Sequence, residues 1–181
     1  MAIAADAHFM LVAVASEQGR TEKDETLRGK NFGAAIASLK KVRQYWKAKP
    51  VWEQDQLDLL GGDVLVDRMK AEEAMGLAEE AKETCGRAAA TFQVFIQAHG
   101  ATESHPADKM SAGELANLER AYASMLPLFV KQGAVQADNV MKYGQEYLDL
   151  FPNGKSRTEV VNCMNAAKAD ASAVPPPPAA E

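Results

Sequence analysis

The feature that most limits what this chain can fold into is the spacing of its apolar residues, which return every three or four positions and rarely every second one. Between residues 31 and 47, Phe32, Ala35, Ile36, Leu39, Val42 and Trp46 draw one stripe down a helix, with Lys40, Lys41, Arg43 and Lys47 beside or outside it. The same step runs through Leu57, Leu60, Val64, Ala71, Met75 and Ala78, and through Ala88, Phe92, Phe95 and Ile96. It returns in Leu115, Leu118, Tyr122, Met125 and Phe129, then in Val140, Met141, Gly144, Tyr147 and Phe151, and last in Val160, Val161 and Met164. Ile3, Phe9, Met10, Val12 and Val14 place a further helix over 3–17. The one rival strand, 63–66, is very short. Abundant Ala, Leu, Glu, Lys and Met favour helix as well. The expectation is an all-α chain of about seven helices whose short connections set neighbours antiparallel.

The breaks in the pattern locate the turns. Residues 16–30 are strongly polar and read as a loop or a solvated helix extension. Pro50 bars easy continuation of the second helix. Gly61-Gly62 costs a helix ~2 kcal/mol relative to alanines, so either the helix bends there or two backbones approach closely. Residues 99–110 form a loop, and Ser111 and Glu114 have capping-box spacing. Pro127 should kink or split the helix it sits in, and Gly133 should end it. Asn153-Gly154 suits a left-handed turn. Residues 1–169 then form one helical domain, and the Ala/Pro-rich 170–181, with nothing to bury, a disordered tail.

Several functions are disfavoured. A net charge of −5 argues against nucleic acid, and the Lys40–Lys49 run reads as a solvated helix face. No apolar run reaches the ~18 residues of a membrane span. No Lys or Arg precedes the short stretch 8–16, so the chain as written reads as cytoplasmic, or as exported to the periplasm if Met1 is not the native start. Cys85 and Cys163 read as buried small hydrophobes, with one long-range bridge open in the exported case. His8, His99 and His105 carry no metal or haem spacing, so neither metal nor cofactor is expected, and His99 and His105 read as exposed loop residues. Gly154-Lys155-Ser156 ends like a phosphate-binding loop, but Asp149 stands where the first glycine belongs and a helix precedes it. Lys82 and Arg87 near Cys85 could lower its pKa, yet no partner base is visible. Glu72-Glu73 and Glu79-Glu80 do not face each other on a helix. The chain reads as non-catalytic.

Three helices repeat one order: Ala35, Leu39, Val42, Tyr45, then Pro50; Ala88, Phe92, Phe95, Ala98, then a loop; Ala137, Met141, Gly144, Tyr147, then Pro152. A small residue is followed four later by a bulky one, further inward positions and a breaker. This resembles the second helix of a tetratricopeptide repeat, and "YGQEYLDLFPNGKSRTEV" is similar to the repeats of bacterial cell-envelope proteins of the outer-membrane assembly and Tol–Pal-associated groups. The match is best over 111–168. The small positions lie 53 and 49 residues apart rather than 34, and the middle unit lacks the closing Pro. The resemblance implies antiparallel hairpins stacked as a short tetratricopeptide-like α-solenoid, acting as an interaction or scaffold module for a partner helix or extended peptide. Its partner-facing candidates are Leu118, Arg120 and Tyr122 on the first helix of a pair. Trp46 and Trp52, which bracket Pro50, read as a packed hairpin corner or as a partner anchor. The rivals are a closed helical bundle around a small apolar ligand and an enzyme without a readable motif.

Overall fold

A computed structural model of the chain describes residues 2–47, 49 and 51–173, without the side chains of 2, 3, 51, 52 and 173. It is all-helical. The helices are α1 (Ala2–Thr21), α2 (Glu25–Tyr45), α3 (Val51–Ala74), α4 (Ala78–His99), α5 (Ala112–Lys131), α6 (Ala137–Leu150) and α7 (Arg157–Ala173), with 3-10 turns at Ala107–Lys109 and Ala134–Gln136. No described helix is long and apolar enough to cross a membrane. The tail expected over 170–181 begins on α7, which keeps its form to Ala173; residues 174–181 lie outside the described part.

The polar stretch 16–30 is helix almost throughout, broken only at residues 22–24. Asp24 caps α2, its carboxylate accepting from the Leu27 N–H at 2.9 Å. Gly76, at φ +76, closes α3: the Leu77 N–H reaches the Glu72 carbonyl and the Gly76 N–H that of Glu73, a Schellman arrangement. Ser111 and Glu114 form the expected capping box at the start of α5. Gly133, at φ +77, follows the end of that helix, which runs unbroken through Pro127. Packing holds this proline in place: Leu126, Leu128 and Phe129 beside it are all buried.

α3 also runs unbroken through Gly61-Gly62, which removes the rival strand. A Cβ on Gly62 would lie 2.5 Å from the Phe92 ring of α4, while one on Gly61 would meet nothing within 4 Å. The same device recurs where Gly19 of α1 receives Phe32 and Gly144 of α6 receives Met164. A missing side chain on one helix thus seats a bulky one on the next, and the helices close together.

The most extensive packing joins α1 to α2, α3 to α4, α4 to α5 and α6 to α7. Odd-numbered helices also touch in series, α1 on α3, α3 on α5 and α5 on α7. Two apolar cores result. One, around Val12, Phe32, Leu39, Val42 and Leu57, lies among α1, α2 and α3. The other, around Phe92, Leu118, Met125, Phe129, Val140 and Tyr147, lies among α3 to α7. α3 belongs to both. Two ionisable side chains are sealed in beside it. Arg28 places one guanidinium nitrogen 2.6 Å from the Met75 sulfur and leaves Nη2 without a partner. Glu72 accepts from Arg68 at 2.7 Å and leaves its second oxygen without one.

Candidate functional site

The two faces of α3 differ. Toward α1 and α5 its carboxylates are spent on ion pairs. Asp67 meets Arg20 of α1 at 3.4 Å, Asp63 pairs with Arg120 of α5, and Glu73 pairs with Lys131 of α5. Arg120 is therefore a seam residue between helices. Leu118 and Tyr122, read from the sequence as facing a partner, are buried in the larger core, where the Tyr122 hydroxyl donates to the Glu146 carboxylate at 3.1 Å. Helical spacing places residues on a common stripe but does not say whether another helix covers it; here α3, α4 and α6 do. Trp46 is half-buried at the hairpin corner, stacked on Phe9 at 5.9 Å with the Lys49 ammonium 4.6 Å from its ring. The Trp52 side chain lies outside the described residues.

On its other side α3 floors a groove of about 680 Å³ between α2 and α4. Leu57, Leu65 and Gly61 come from α3, Ile36 and Leu39 from α2, and Phe95 from α4. Lys40 and Arg43 form the α2 lip. Ala90, Val94 and Ala98 line the α4 lip; all three are exposed, Val94 at 62%. Four-residue spacing puts them on one stripe. α4 is thus apolar on two sides: Ala88, Phe92 and Ile96 enter the core, and this stripe does not. The sequence reading found the first side and missed the second, although Ala90-x3-Val94-x3-Ala98 was there to be read. It also took Lys40 and Arg43 as a plain solvated face.

At one end of the groove Asp55 and His99 meet. Asp55 Oδ2 lies 3.4 Å from His99 Nδ1, and Asp55 Oδ1 lies 3.8 Å from Arg43, which also bonds Asp58. The His99 ring stacks on Phe95 at 4.5 Å. Burial pushes the Asp55 carboxyl above its ordinary range, opposed by the nearby His99 and Arg43 charges. His99 is the last residue of α4 rather than a loop residue, and it separates the groove from a polar cavity of about 160 Å³ bounded by Thr102, His105, Glu114 and Asn117. A carboxylate–imidazole pair could orient a base, but the nearby Thr102 hydroxyl is bonded to Ser104 and to the His105 N–H. Among the described residues no three His, Cys, Asp or Glu side chains are placed to share a metal ion.

The Gly154-Lys155-Ser156 turn is closed from inside. The Lys155 N–H donates to Glu119 at 2.7 Å and the Ser156 N–H to the Tyr147 hydroxyl at 3.1 Å, so the donors a phosphate would need are occupied. Gly154 is required for close approach, since a Cβ there would sit 2.3 Å from that hydroxyl; it is not in the left-handed region. Cys85 and Cys163 are buried free thiols, both pushed upward in pKa by burial, so the cations near Cys85 in sequence do not activate it. Comparison with family models, with curated proteins and with solved structures finds no match to this chain.

Proposed function

We propose that this protein is a non-catalytic interaction module, a short tetratricopeptide-like stack of antiparallel hairpins, and that the α2–α3–α4 groove takes an amphipathic helix of a protein partner. The serial contacts of the odd-numbered helices support the stacked reading. The observation that carries the docking reading is the groove: an apolar floor, an exposed apolar stripe on one lip, and Lys40 on the other lip beside an Arg43 held by Asp55 and Asp58. Lys40 takes part in none of the ion pairs of the described residues, so it is available to a carboxylate. The partner helix presents an apolar face flanked by Asp or Glu. The docking side differs from the sequence expectation: it uses the second helices, α2 and α4, because Leu118 and Tyr122 of the first helix are buried in the core. Several lining residues face water, which favours a groove over the closed bundle of the rival reading.

Two labelled model helices with the same Leu/Ala face, one flanked by Glu and one by Lys, test this by fluorescence anisotropy. The Glu-flanked peptide should bind more tightly. Val94→Arg should weaken it by about tenfold or more, since it sets an unpaired charge against the partner's apolar face. Lys40→Glu should cost about two- to fivefold, the size of an exposed charge contact. Equal binding of both peptides, or indifference to Val94→Arg, refutes the docking mode; a small apolar molecule held by the purified protein in native mass spectrometry would support the bundle.

A further inference from the structure

From Ala7 to Ser16 helix α1 carries no Asp, Glu, Lys or Arg. One face is accounted for: Val12, Ala15 and Ser16 are buried against the rest of the fold. The opposite face is as apolar and stands in water. Met10 is 69% exposed, Leu11 50% and Val14 50%, while Phe9, 41% exposed, lies off this face and stacks on Trp46. An amphipathic surface helix needs one apolar stripe, and this one has two. Scaled by those exposures, Met10, Leu11 and Val14 leave on the order of 300 Å² of contiguous apolar surface, within the range of a monomer's largest patch, which is often functional. α1 also packs along one side only. Its extensive contacts are with α2 and α3, whereas α3 has such contacts with four helices.

We infer that this face is covered by a second copy of the same chain, α1 lying antiparallel to its two-fold mate. Ala7, Met10, Val14 and Glu17 are spaced by three, four and three residues, the seam of a two-helix coiled coil. Antiparallel pairing centred between residues 10 and 14 sets each Met10 against the other copy's Val14. It sets the small Ala7 against Glu17, leaving room for that side chain to reach water. Such a seam is isologous, so both copies use the same patch. The charges select the direction. Asp6 begins the stretch, and Arg20, which pairs with Glu17 and Asp67 of its own chain yet stays 47% exposed, follows its end; antiparallel pairing brings each Asp6 toward the other copy's Arg20, while parallel pairing would align Asp6 with Asp6 and Glu17 with Glu17. A lipid surface is the poorer occupant, because an interfacial helix relies on cations flanking its apolar face, and here Asp6 and Glu17 flank it with no Lys or Arg before Arg20. With Ala7, Ala13 and the Glu17 stem added, the contact totals roughly 800 Å² over both copies, below the usual range of specific interfaces, so the dimer is weak and reversible. This face is separate from the α2–α3–α4 groove and the inference stands without the docking reading.

Sedimentation equilibrium of the full chain over a wide concentration range should give a reversible monomer–dimer curve. Met10→Glu should weaken it by about tenfold or more, since it removes the central anchor and sets carboxylates into the seam, with the helical circular dichroism unchanged because residue 10 is exposed. A mixture of full-length Met10→Cys and Val14→Cys chains should form a disulfide-linked heterodimer more readily than either alone; the native Cys85 and Cys163 are buried. A monomer at every concentration overturns the inference, as does a dimer indifferent to Met10→Glu. Preferential linking of Met10→Cys to itself refutes the antiparallel direction. Flotation of wild type, but not Met10→Glu, with phosphatidylcholine–phosphatidylglycerol vesicles assigns the face to lipid and likewise overturns it.

Discussion

Two adjacent glycines in one helix should respond to the same substitution with opposite signs. Gly61→Ala places a methyl where no atom lies within 4 Å, on the wall of the groove. It gains the intrinsic preference of alanine for helix, about 1 kcal/mol. Gly62→Ala gains the same preference but puts its Cβ 2.5 Å from the fully buried Phe92 ring. Ordinary carbon contacts begin near 3.5 Å, so the ring must retreat by about 1 Å in a packed core. Overpacking of that kind costs about 1–3 kcal/mol. The net for Gly62→Ala is then a loss of about 0–2 kcal/mol, and the two variants should differ by about 1–3 kcal/mol. In a chain of this size each kcal/mol moves the melting temperature by roughly 2–4 °C. Urea unfolding followed by helical circular dichroism, with equal m-values required, measures the gap. Adding Phe92→Leu to Gly62→Ala should recover part of the loss, a coupling that a double-mutant cycle reads directly. If both glycine variants stabilise equally, Phe92 is not seated on Gly62 and the account of how α3 and α4 close together is wrong.

Tyr147 is pushed up to about 12, first by burial and then by its bond to Glu119, so the folded state holds it neutral where the unfolded chain ionises it. Its contribution is complete below pH 10 and is lost as the pH rises toward 12; Tyr147→Phe should flatten that alkaline decline in unfolding free energy while costing about 1–3 kcal/mol at neutral pH. An unchanged alkaline slope would show that this hydroxyl is not the titrating group. Arg28→Met should raise stability by about 1–3 kcal/mol, because it removes a buried guanidinium nitrogen with no partner. A lower urea midpoint for that variant would mean that Arg28 offsets the buried Glu72 charge from a distance.

What the sequence determined by itself was local. Three- and four-residue spacing identified the helices, and Ser111 with Glu114 and Gly133 marked the two ends of α5. These signals are readable because hydrogen bonding within a turn and the burial of one face both act over a few residues. Where local signals were weak, tertiary packing decided. Residues 16–30 read equally as a loop or as a helix extension, and Phe32 seated on Gly19 with the burial of Arg28 holds α1 and α2 in helix on either side of a short turn. Pro127 and Gly61-Gly62 oppose helix locally and are overruled by the cores around them. The candidate site was hardest to read, since a groove belongs to no single helix. Lys40 on α2, Leu57 on α3 and Val94 on α4 meet only when the three helices pack, and Arg120 finds its ion-pair partner only because α3 sets Asp63 beside it. Periodicity records which faces of a helix are apolar; which of those faces another helix covers is a property of the whole fold.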